Sequence, residues 1–99
     1  MRTKNEYIQI IHASEKELTQ QFGVRSLRLF GSVAREEHTA SSDVDICVET
    51  ETPNPFLILD LKEYLENLFN CSVDIVRFRQ NMNPFLKQRI ENEGIYILR

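Results

Sequence analysis

The run GSVAREEHTASSDVDICVE, Gly31 to Glu49, decides how this chain folds. Ahead of it, Arg25 to Phe30 alternates, with Leu27 and Leu29 on one face, and reads as a strand that Gly31 ends. A short helical turn is expected over Ser32 to Glu37, then a polar loop through Ser42. Asp43 to Glu49 is the second strand, with Val44, Ile46 and Val48 on one face. Ser32 thus follows the C-terminal end of strand one, whereas Asp43 opens strand two. If both serve one ligand, those two strands run antiparallel. Farther on, SVDIVR (Ser72 to Arg77) is a third strand with Asp74 near its start. For Asp74 to meet Asp43, strands two and three must be parallel, and the helix between them serves as a right-handed crossover. The fold class that follows is α/β (α+β), a small mixed β-sheet flanked by helices.

The remaining segments fit that frame. A helix is expected from about Lys4 to Phe22. Thr3 and Glu6 have the spacing of a capping box, Ile8, Ile11, Leu18 and Phe22 form its stripe, and Gly23 stops it. Asn54 and Pro55 open the crossover helix, which runs to about Phe69 with Leu57, Leu61, Leu65 and Leu68 inward. Asn83 and Pro84 repeat the device, Gly94 closes that helix, and Ile95 to Leu98 can add an edge strand. At 99 residues with no repeat, the expectation is a single domain over 1–99.

Composition bounds the function. Hydrophobic residues make up 41% and charged residues 27%, ordinary for a globular protein and wrong for disorder. A net charge of −3 argues against broad attraction to nucleic acid or an anionic membrane. The start, MRTKNEYIQI, does not read as a secretory signal, and the longest apolar run, Phe56 to Leu59, is too short to span a bilayer. Cys47 and Cys71 form no CxxC pair and read as buried thiols in a reducing cytoplasm. His12 and His38 have no partner at ligand spacing and read as surface residues, although His38, in a loop near the site, could touch substrate. Arg77, Arg79, Lys87 and Arg89 are either a solvated face or a contact for nucleotide, RNA or an acidic partner. The crossover helix carries more apolar residues than one sheet contact needs, Phe56, Ile58, Leu59, Tyr64 and Phe69 among them, and so suggests an interaction surface.

The chemistry lies in Gly31-Ser32, Asp43-Val44-Asp45 and Asp74. Alternation puts Asp43 and Asp45 on one face, about 7 Å apart along a strand, where two carboxylates can serve one hard cation or share two. Singly, each piece has an ordinary explanation in turn chemistry or a solvated strand end. Together, each at a strand terminus, they point to a site. Arg35, nearly one turn beyond Ser32, can face the same ligand, or can pair with Glu36 or Glu37 instead.

On these residues, GSVAREEHTASSDVDICVE and then SVDIVR, the chain resembles the minimal nucleotidyltransferases of the DNA polymerase β-like superfamily, over nearly its whole length. The resemblance implies that fold, with Asp43, Asp45 and Asp74 as catalytic metal ligands for Mg²⁺, two ions, and ATP as substrate. Asp74 either helps hold the second metal or takes the acceptor's proton. Gly31, Ser32 and Arg35 would bind the nucleotide. It further implies an antitoxin that transfers AMP to a hydroxyl, a tyrosine, of a HEPN-domain ribonuclease toxin, in a hetero-oligomer with that toxin. The chain departs from the family at Glu36, where members commonly carry Gly. The alternative is a catalytically weak binding module that neutralises the toxin by forming a complex. A transferase acting on a small molecule or an RNA end is disfavoured, since no substrate-binding domain is expected and no stable nucleic-acid binding either.

Overall fold

A computed structural model describes residues 1–99. The elements are α1 (Lys4–Ala13), α2 (Glu15–Phe22), β1 (Val24–Phe30), α3 (Gly31–Ala34), β2 (Val44–Thr50), α4 (Pro55–Phe69), β3 (Val73–Arg77), α5 (Pro84–Glu93) and β4 (Ile95–Leu98). The sheet order is β3-β2-β1-β4. β1 pairs antiparallel with β2 and with β4, while β2 and β3 are parallel and joined through α4. The mixed sheet expected from the placement of Ser32, Asp43 and Asp74 is the one observed.

Each helix forms for a local reason. Thr3 and Glu6 make the reciprocal capping box, Asn54 caps Phe56 N–H, and Asn83 caps Phe85 and Leu86 N–H. Proline follows each Asn cap at the first helical position, where its missing N–H costs nothing. Gly23 and Asn70 end α2 and α4 in the left-handed conformation.

The expected first helix is two. Its inward stripe runs Tyr7, Ile11, Ser14, Leu18, so a buried serine falls where an apolar side chain belongs. There the backbone turns to φ −102, ψ 9, and the Ser14 N–H is shared between the Ile10 and Ile11 carbonyls. The bend lets α1 and α2 both lie on the sheet.

Both faces of the sheet are covered. Leu27, Leu29, Val44, Ile46, Val48 and Val73 meet α1, α2 and α4 in a core of 17 buried residues that also takes in Ile11, Leu18, Leu61, Leu65 and Phe69. On the other face Phe30 and Cys47 pack against Met82 and Ile90, the latter on α5. Arg28 is buried on that second face between the rings of Phe78 and Tyr96, 4.7 and 4.5 Å from their centroids.

Candidate active site

One end of the sheet collects the polar residues. Registry sets Phe30 opposite Asp45 and Asp45 opposite Asp74, a single row across β1, β2 and β3. By alternation Asp45 shares the face of Cys47 and Phe30, which α5 covers. β1 leaves this row through Gly31 at φ 74, and a Cβ there would collide with the Asp45 carboxylate. Glycine is needed twice, for the left-handed backbone and for the seat of Asp45. The glycine that the resemblance assigns to the nucleotide is thus also the one that admits the acid of the neighbouring strand.

Asp43 is exposed just ahead of β2, Asp45 is half-buried and Asp74 is exposed. Burial pushes the Asp45 carboxyl above its ordinary pKa, and the charge of Asp74 pushes it further; Arg89 pulls it back, Asp43 adds to the rise, and Arg35 opposes it. Asp43, Asp74, Arg89 and Arg35 are therefore the charged neighbours that Asp45 feels. No three Asp, Glu, His or Cys side chains are disposed to hold a metal among themselves. The carboxylates form no ready-made cage, and like charges in one row have reason to stay apart.

Ser32 is half-buried in α3, whose end is a Schellman turn. Glu37 N–H donates to the Ser32 carbonyl at 2.9 Å and Glu36 N–H to that of Val33 at 3.1 Å. Glu36 occupies the left-handed position of this turn at φ 60, where glycine is the usual occupant, and its side chain is exposed. The departure at Glu36 thus bears on the backbone.

Arg35 makes one of the pairings expected of it, with Glu37, and a second with Glu93 that its position in the sequence did not suggest. Its Nε donates to Glu37 at 3.3 Å, and its Nη1 donates to Glu93 Oε2 at 3.0 Å. The Glu37 hydrogen bond and the Glu93 charge hold the guanidinium above its ordinary pKa. Glu93 Oε2 also accepts from Gly31 N–H at 3.3 Å.

Two residues at this end escaped the sequence reading. Arg89 was grouped with a basic face, yet its charge acts on Asp45. Glu93 was unremarked. Its signal is position: Leu86, Ile90 and Glu93 fall at i, i+4 and i+7 of α5, so a carboxylate lies on the inward stripe. Arg77 and Arg79, by contrast, lie at the far end of β3. His12 is exposed as expected, but His38 is half-buried, with Nε2 2.8 Å from the Arg2 carbonyl and its ring edge-on to Tyr7. Its Nδ1 is buried without a partner. Cys47 is buried, its thiol pushed up to about 11 by desolvation, but Cys71 is only half-buried, beside the Tyr7 hydroxyl at 3.6 Å.

The model of the nucleotidyltransferase domain matches residues 11–97. This chain belongs to the nucleotidyltransferase domain family. It is similar to the protein adenylyltransferase MntA of Thermococcus cleftensis, 37% identical over 98% of each chain. Among solved structures, one assigned to the minimal nucleotidyltransferases is 31% identical, superposes with a TM-score of 0.75 and covers 95% of both chains. Another, the tri-AMPylated HEPN toxin of Shewanella oneidensis in complex with its MNT antitoxin, matches with a TM-score of 0.65 at 20% identity, covering 91% of this chain and 71% of that one, and shows the shared fold. The chain is a nucleotidyltransferase, with the mixed α+β architecture of the minimal members. No helix is long and apolar enough to cross a membrane.

Proposed function

We propose that residues 1–99 act as one catalytic domain that transfers AMP from ATP to a tyrosine hydroxyl of a HEPN-domain ribonuclease toxin, and thereby serve as its antitoxin. The observation that carries this reading is the in-register pair Asp45 and Asp74, with the Asp45 carboxylate seated on Gly31. Such a pair is costly unless a cation joins it: burial first, and then the charge of Asp74, push the Asp45 carboxyl above its ordinary pKa.

The donor set fits Mg²⁺. Only oxygens are offered, few enough to leave positions for water and phosphate, which is how that ion is usually held. Asp43, Asp45 and Asp74 would be its ligands, and two such ions, when bound, would stabilise both the entering and the leaving oxygen. The chain's own residues do the rest. Gly31 N–H, the Ser32 hydroxyl and the Arg35 guanidinium would hold the triphosphate oxygens. Arg89, near Asp45, would offset the charge gathering there. The acceptor oxygen forms its bond to the α-phosphorus as the bond to pyrophosphate breaks, and Asp74 would receive the hydroxyl proton if it does not hold the second ion.

The partner reading draws support from a groove of about 750 Å³ between the start of α4, the end of β3 and the start of α5. Leu59, Arg77 and Arg79 line it, and Leu59 is more than half exposed, as are Phe56 on α4 and Phe85 on α5. Of the surplus apolar residues on α4, Phe69 is buried, and Ile58 and Tyr64 pack on the core. Phe56 and Leu59 are the ones left outside. This surface also favours a second reading, neutralisation by complex formation alone. The unpaired Cys47 and Cys71 suit a reducing cytoplasm.

Incubation with ATP, Mg²⁺ and the cognate HEPN-domain protein, followed by intact mass measurement of that partner, tests the proposal. The wild type should add AMP and Asp43→Asn/Asp45→Asn should add none. No adduct from the wild type, or an equal adduct from the double variant, overturns it. If the silent double variant still relieves toxicity, occlusion is the mechanism.

A further inference from the structure

Glu93 closes a contact that the proposed reaction does not use. One of its oxygens, Oε2, takes hydrogen bonds from Gly31 N–H at 3.3 Å and from Arg35 Nη1 at 3.0 Å. Those are two of the three groups assigned above to the triphosphate. A carboxylate oxygen and a phosphate oxygen make the same demand on such donors, and both charges strengthen the bonds. The glutamate is also an odd resident here. It stands on the inward stripe of α5, at an end of the sheet that already carries Asp43, Asp45 and Asp74, and its side chain is only 25% exposed. A fourth carboxylate in that neighbourhood is tolerable only because the amide and the guanidinium satisfy it.

We propose that Glu93 is an internal anion seated on the nucleotide's phosphate donors and exchanged for a phosphate oxygen when ATP binds. The inference rests on the reading of Gly31 and Arg35 as nucleotide-binding residues. In the free chain one Glu93 oxygen holds both Arg35 Nη1 and the Gly31 amide, beside Asp45, the acid packed on that same glycine. On exchange, Arg35 keeps its bond to Glu37, 3.3 Å from Nε, so its guanidinium stays tethered while Nη1 turns to the ligand. Glu93 is the last residue of α5, and its departure breaks no helical hydrogen bond of its own side chain. The cost of this arrangement is affinity: ATP binds only the fraction of molecules in which the donors are open.

Glu93→Gln keeps the shape and removes the competing charge. Titration calorimetry with ATP and Mg²⁺ at fixed ionic strength should show the variant binding about three- to tenfold more tightly than the wild type. The KM for ATP should fall without a rise in kcat. Where the wild type binds ATP, equal or weaker binding by a variant whose circular dichroism and Tm match the wild type overturns the proposal, because a residue that merely orients Arg35 would lose affinity when neutralised. A second measurement separates this idea from the nucleotide reading. In the wild type, the Gly31 amide and Arg35 Nη–H resonances should shift on addition of inorganic triphosphate and move less in Glu93→Gln, where exchange is not required. If neither protein binds ATP but those shifts occur, the exchange stands and the nucleotide reading falls. If triphosphate leaves both resonances of the wild type unmoved, Glu93 is a fixed structural contact and the proposal is overturned.

Discussion

Two backbone positions explain why the motif has the residues it has. Gly31 sits at φ 74 against the Asp45 carboxylate, so no other residue fits there without moving that acid. Glu36 sits at φ 60 in the turn that ends α3, and here the chain tolerates strain that glycine would not have. Left-handed backbone costs an L-residue roughly 1–2 kcal/mol, partly offset by the greater unfolded-state freedom of glycine. Glu36→Gly should therefore stabilise the fold by about 1 kcal/mol in denaturant unfolding, with an unchanged m-value. A loss of stability would mean the strain is not there. At this scale the sequence was partly legible. Gly31, Ser32, Asp43, Asp45 and Asp74 announce themselves by residue type and spacing, and structure brings Asp45 and Asp74 into one row. Glu93 and Arg89 were not legible in that way. Their neighbours come from elements that only the folded topology brings near.

Among the elements, those with strong punctuation were readable to within a residue. Asn54-Pro55 and Asn83-Pro84 open α4 and α5 where expected, and Gly94 marks the change to β4. The single long N-terminal helix was misread because Ser14 is a permissible helix residue; its burial in the stripe, which forces the bend, depends on what α1 and α2 pack against. β1 was read as one-sided, yet its second face is buried too, since α5 returns across it and Arg28 finds two rings there. The cap at Asn83 sets where α5 begins, and α5 carries Arg89 and Glu93 to the site. Asn83→Ala removes an acceptor for two N–H groups and should cost about 1 kcal/mol in thermal or denaturant unfolding. An unchanged stability would show that water replaces the cap at no cost.

For the whole molecule, the site is the place where the fold accepts a penalty. The folded-state pKa of Asp45 lies above its unfolded value, so the native state favours the neutral acid. That contribution is present at low pH and is lost as pH rises through the folded pKa, above 3.8. Asp45→Asn should therefore raise Tm at neutral pH without metal, and the advantage over wild type should close as pH falls through that range. Equal Tm values at neutral pH would contradict it. Mg²⁺ should in turn stabilise the wild type and leave the variant unmoved. The two parallel strands bring Asp45 and Asp74 into one row, the antiparallel turn at Gly31 lies beside them, and the groove lies at the other end of α5; in the proposed function the turn would supply the phosphate donors and the groove would meet the partner. Calorimetric titration of ATP into the wild type and Asp45→Asn/Asp74→Asn, with and without Mg²⁺, bears on this most directly. The account predicts uptake by the wild type that depends on Mg²⁺ and none by the double variant. Wild-type protein that takes up no ATP in the presence of Mg²⁺, or a double variant that binds it equally well, would contradict it.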